Sequence, residues 1–86
     1  MTLAELIDMQ RKNLEDESVG IRRSWEETFR YTLKYVSPDI PLEDFDLDNL
    51  TARMTIGGIQ KQFIDGYVTR WRVLLERARV PPDENG

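Results

Sequence analysis

Hydrophobic positions recur along this chain with a helical period, most regularly between Gly57 and Val80. At about 100° per residue, Ile59, Phe63, Ile64, Tyr67, Val68, Trp71, Leu74, Leu75 and Ala78 fall on one side, which predicts a helix over residues 58–79 with a broad apolar face. At about 1.5 Å per residue such a helix crosses a small domain from end to end, so other helices have to pack along it. Leu3, Leu6, Ile7 and Leu14 mark a first one over residues 3–15, opened by Thr2 and Glu5 at capping-box spacing. Ile21, Trp25, Phe29, Leu33 and Val36 mark a second over residues 19–36, with Ser18 as its N-cap and Ser37-Pro38 as its stop. Gly20 in its first turn costs about 1 kcal/mol relative to Ala. A short third helix over residues 47–54, capped by Asp46, buries Leu47, Leu50 and Met54. Ahead of it, Ile40, Leu42 and Phe45 alternate with polar residues, which pins the proline-stiffened connector to the core. The expectation is an all-α, compact four-helix orthogonal bundle over residues 2–80 with Trp25 and Trp71 both in its core. Residues 81–86, Pro-Pro-Asp-Glu-Asn-Gly, read as a disordered tail or the start of a linker.

The polar faces carry their own order. On the second helix Arg23, Arg30 and Lys34 align within about 40°, and on the last helix Lys61, Arg72 and Arg79 fall within about 20° of one another. Arg70 and Arg77 lie at the opposite edge of that last helix. Two readings stay open: lines of cations that face phosphates, or solvated faces on which Glu26 and Glu27 pair with Arg30 one turn away. Tyr31 and Tyr35 lie off the apolar centre, as rim residues. Gly57-Gly58 fits either a backbone nest for a phosphate or a sharp turn between helices.

Composition narrows the chemistry. A chain of 86 residues fits one domain with one modest core, and 40% hydrophobic residues are too many for intrinsic disorder. It has no cysteine and no histidine, which removes thiolate, zinc and nucleophile–imidazole chemistry; no cofactor is expected. Asp44, Asp46 and Asp48 are spaced like calcium ligands but lack the turn glycine and closing glutamate of such a loop, so no metal is expected either. No apolar run is long enough to span a bilayer and the chain opens on Met-Thr-Leu-Ala-Glu without a basic leader, so a cytoplasmic protein with no membrane partner is expected. The net charge of −4 argues against a generic nucleic-acid binder. Its distribution matters more: Asp39, Glu43, Asp44, Asp46 and Asp48 concentrate five acids in ten residues and leave twelve cations against eleven acids elsewhere.

The order and spacing of these helices resemble the core-binding domain of tyrosine recombinases, the phage-integrase family. Thr2-Leu3-Ala4-Glu5-Leu6 matches the family's opening "TLxEL" helix, and Ser18 through Trp25, Phe29 and Leu33 match its second. Pro41-Leu42-Glu43-Asp44-Phe45-Asp46 stands where the family has a "PLxDIT" connector, and Leu74-Leu75-Glu76-Arg77-Ala78 resembles its leucine-rich final turn. The resemblance covers nearly the whole chain. It implies a non-catalytic domain that grips double-stranded core-site DNA with the second and fourth helices, through Arg23, Arg30, Lys34, Lys61, Arg72 and Arg79. It also implies a C-terminal catalytic domain and neighbouring protomers as partners in a full-length protein, with strand cleavage belonging to that other domain. The acidic net charge departs from the family and implies weak binding by this domain alone. A second class of function fits the same residues, a small acidic helical protein-interaction module whose contact surface is the Asp39–Asp48 segment. No pair of titratable residues is set apart as acid and base, so no enzyme is expected.

Overall fold

Thr2 and Glu5 start α1 (Leu3–Asn13) by capping each other: the Thr2 amide donates to the Glu5 carboxylate at 2.8 Å and the Glu5 amide to the Thr2 hydroxyl at 3.3 Å. This draws the Glu5 carboxyl below its usual range, chiefly through the Thr2 backbone donor. Its contribution is present above the ordinary carboxylate pKa and lost as pH falls through the lowered one. The next two donors of α1, Leu3 and Ala4, find the carbonyls of Ile40 and Pro38, both at 2.9 Å. The connector thus closes over the start of the chain, where Thr2 and Pro41 also form an isolated bridge. The computed structural model describes residues 1–79, the side chain of Arg79 excepted. The tail expected at residues 81–86 lies outside these.

After α1 come α2 (Val19–Thr32), a 3₁₀ turn at Leu42–Asp44, α3 (Leu47–Ile56) and α4 (Lys61–Arg79). Over the described residues the chain is an all-α bundle of four helices, as its periodicity predicts. Ser18 and Asp46 cap α2 and α3 as expected, accepting from the Ile21 amide and from the Asp48 and Asn49 amides.

The ends of the helices differ from the expected ones, for local reasons. The first helix stops at Asn13 and not at residue 15, because Glu15 bonds back to Lys12, three residues away, which tightens the last turn. The second stops at Thr32 and not at residue 36, because Lys34 and Tyr35 likewise bond to Tyr31 and Thr32. The largest shift lies between α3 and α4. Gly58 adopts φ +87°, its amide bonds Thr55, and the Ile59 amide reaches back to Met54 at 3.1 Å, a Schellman cap. The glycine pair therefore ends α3, extending it to Ile56, and α4 begins at Lys61 and not at residue 58.

Trp71 of α4 is at the centre of the core, fully buried, with Phe29 at 5.7 Å, Phe45 edge-on at 5.1 Å, and its indole N–H donating to Thr32 at 2.7 Å. Trp25, expected beside it, is half-buried at the margin against Phe29. Ile21, Phe63 and Ala78, on expected apolar faces near the ends of α2 and α4, are exposed, as is Leu33, which caps α2 and is not part of it.

The cap carries a prediction. Gly58→Ala places an L side chain at positive φ and is expected to lower the unfolding free energy by about 1 kcal/mol in urea titrations. Gly57 has ordinary dihedrals, but a Cβ there overlaps the phenol of Tyr35, so Gly57→Ala is expected to destabilise until Tyr35 is also shortened.

Candidate nucleic-acid interface

With Phe29, Thr28 and Thr32 turned to the core, α2 leaves Arg22, Arg23 and Arg30 on its solvent side, and Lys34 follows in the turn beyond. From Arg23 to Arg30 the row covers about 10 Å of helix axis. These four line one open groove with Arg11, Val19, Leu33, Glu26 and Glu27. Among the described residues none of the four cations makes an ion pair.

Both carboxylates on this face are held from other helices. Glu26 receives a two-pronged bond from Arg11 of α1, Nε to Oε2 at 2.8 Å and Nη2 to Oε1 at 2.9 Å, while the same guanidinium lies over the Phe29 ring at 5.5 Å. Glu27 accepts the Tyr67 hydroxyl of α4 at 2.7 Å on Oε2. The expected pairing of Arg30 with Glu26 or Glu27 is therefore not what the chain forms. A planar guanidinium and a buried phenol hold the acids in place, and Arg30 keeps its charge for other anions.

Tyr67 stacks on Tyr31 with ring centres 5.5 Å apart, and Lys34 Nζ and Arg30 Cζ lie 4.6 and 5.3 Å from the centre of the Tyr31 ring. Burial first, and the bond to Glu27 second, push the Tyr67 phenol well above its ordinary pKa. The native state resists ionising a group that the unfolded chain ionises near about pH 10. Stability is thus whole below that pH and falls as pH rises past it, and Tyr67→Phe is expected to remove this alkaline loss in melts followed against pH.

Of the candidate cations of α4, Lys61 and Arg72 are not brought to this groove. Lys61 pairs with Asp65 at 3.2 Å, an exposed contact worth a few tenths of a kcal/mol. Arg72 lies in a separate recess among Glu43, Asp46 and Asp48. Arg79 closes α4, and its side chain lies outside the described residues. The α4 cation that does reach α2 is Arg70, whose Nη1 donates to Thr28 Oγ1 at 3.1 Å. Arg23, Arg30 and Lys34 stand together, joined by Arg22 and Arg11, which the alignment of cations had not singled out. Arg22 was within reach as the neighbour of Arg23. For Arg11 the sequence held no signal, since only the packing of α1 on α2 brings it across.

Among the described residues no helix is long and apolar enough to cross a membrane, and no three carboxylates are placed to hold a metal ion. No protein-family model matches the chain, and no curated protein or solved structure matches it.

Proposed function

We propose that this chain is a non-catalytic domain that grips duplex DNA with α2, in the manner of the core-binding domain of a cytoplasmic tyrosine recombinase. One observation carries the reading: four cations line one groove along α2 and the turn beyond it, among the described residues without ion pairs, while Arg11 of α1 pairs with Glu26 and the Tyr67 hydroxyl of α4 holds Glu27. A row of this kind neutralises phosphates and releases their counterions. The major groove, about 12 Å wide, admits a helix such as α2. Arg72, surrounded by acids, adds little to such a grip. Weak affinity follows, and the other half of the hold belongs to a catalytic domain and neighbouring protomers in a full-length recombinase.

The test is a titration with core-site duplex at low and moderate salt, with amide shifts followed by NMR. Four phosphate contacts are expected to give a slope of log affinity against log salt of about −3.6, at about −0.9 each. Shifts are expected along α2, and Arg72→Ala is expected to leave the slope unchanged. If the shifts gather instead around Asp39–Asp48, a protein-interaction module replaces the DNA reading.

A further inference from the structure

We infer that Glu27 is a specificity-determining residue, a carboxylate that Tyr67 holds in position to accept the exocyclic amine of a cytosine in the major groove. The inference rests on the DNA reading above and concerns which bases the row prefers.

The two acids of the groove differ in what they have left to offer. Glu26 has both oxygens taken by Arg11. Glu27 has only Oε2 engaged, and among the described residues Oε1 takes no hydrogen bond. Nor is it neutralised locally, for Arg23 and Arg30, four residues before it and three after, make no ion pair with it. Its position is set from below by a buried hydroxyl at 2.7 Å, the kind of fixed donor that orients an acceptor before a ligand arrives.

A carboxylate in that place repels phosphate, so with its cationic neighbours on the backbone it has to lie over the floor of the groove. Glu27 also borders a second recess, lined by Gln60 and Phe63 and, among the described residues, by no cation, which makes it the edge at which the phosphate-facing row ends. What the groove floor offers a carboxylate is an amine, N4 of cytosine or N6 of adenine. Adenine sets the acceptor N7 beside its amine, which repels the second carboxylate oxygen; cytosine has only C5–H there. The charge of Glu27 therefore selects cytosine, and an amide in its place, able to donate to N7 while accepting from N6, selects adenine.

The experiment is selection from a duplex library randomised across the footprint, at low salt, with the native chain, Glu27→Gln and Tyr67→Phe, each checked for native melting. The native chain is expected to enrich cytosine at one position by about tenfold, and Glu27→Gln to lose that preference or move it to adenine. Tyr67→Phe is expected to blunt the preference while keeping the salt slope, a split that mere loss of packing does not produce. An unchanged cytosine preference in Glu27→Gln overturns the inference, as does a native chain that binds duplex with no preference at all. Absence of binding to any duplex overturns the DNA reading with it.

Discussion

Trp71→Ala is expected to bring the domain to the margin of stability at room temperature, with up to about half of the molecules unfolded. The side chain is fully buried, and its removal strips Phe29 and Phe45 of their shared partner and Thr32 of an indole donor at 2.7 Å. Large-to-small changes of this kind cost about 3–5 kcal/mol, against a total stability on the order of 5 kcal/mol for a small domain. Circular dichroism at 222 nm reads the loss directly. Trp71→Phe keeps the aromatic contacts and loses the hydrogen bond, so a cost of about 1–3 kcal/mol is expected, a lower midpoint with helix content retained. Trp25→Ala is expected to cost less than Trp71→Ala, because Trp25 touches the core from its margin. Equal losses at the two tryptophans would put the centre of the core elsewhere than Trp71.

That difference between the tryptophans marks what periodicity can tell. Helical spacing assigns a residue to a face but not to a place along it. Ile21 and Trp25 share the face of Phe29, yet only Phe29 lies where α4 crosses. The caps were legible because their bonds are local: Thr2 with Glu5, Ser18 with Ile21, Asp46 with Asp48. The helix ends were less so. Whether Gly57-Gly58 opens one helix or closes another depends on which glycine takes positive φ, and a bare pair of glycines does not say.

The candidate site follows the same division. Helical spacing found Arg23, Arg30 and Lys34, since Arg23 and Arg30 share α2 and the turn that carries Lys34 continues directly from it. On the last helix it lined up Arg72 with Lys61 and Arg79, because spacing knows nothing of the acids on the loop opposite. The fate of the carboxylates is likewise tertiary. Sequence spacing offers Glu26 and Glu27 to Arg30, and the fold gives them to Arg11 and Tyr67. The charge left on the α2 row is thus a property of three helices together. Net charge alone describes it poorly, since the acids that make the chain negative concentrate on the connector and the start of α3.

Removing two charges from the row is expected to matter far more than removing two from elsewhere. In an Arg23→Ala, Arg30→Ala variant the slope of log affinity against log salt is expected to fall from about −3.6 to about −1.8. Over a fourfold rise in salt the native chain then loses about 150-fold in affinity and the variant about 12-fold. The matched control is Lys61→Ala with Arg72→Ala, which changes net charge equally but takes its cations from an exposed pair and an acid-lined recess. Its slope is expected to stay native. Both variants are expected to melt within about 0.5 kcal/mol of the native chain, since their side chains are exposed and none is a core residue. If the two variants flatten the slope alike, DNA senses only the net charge of the domain and the row on α2 has no special role. If only the control does so, the grip belongs to the far edge of α4.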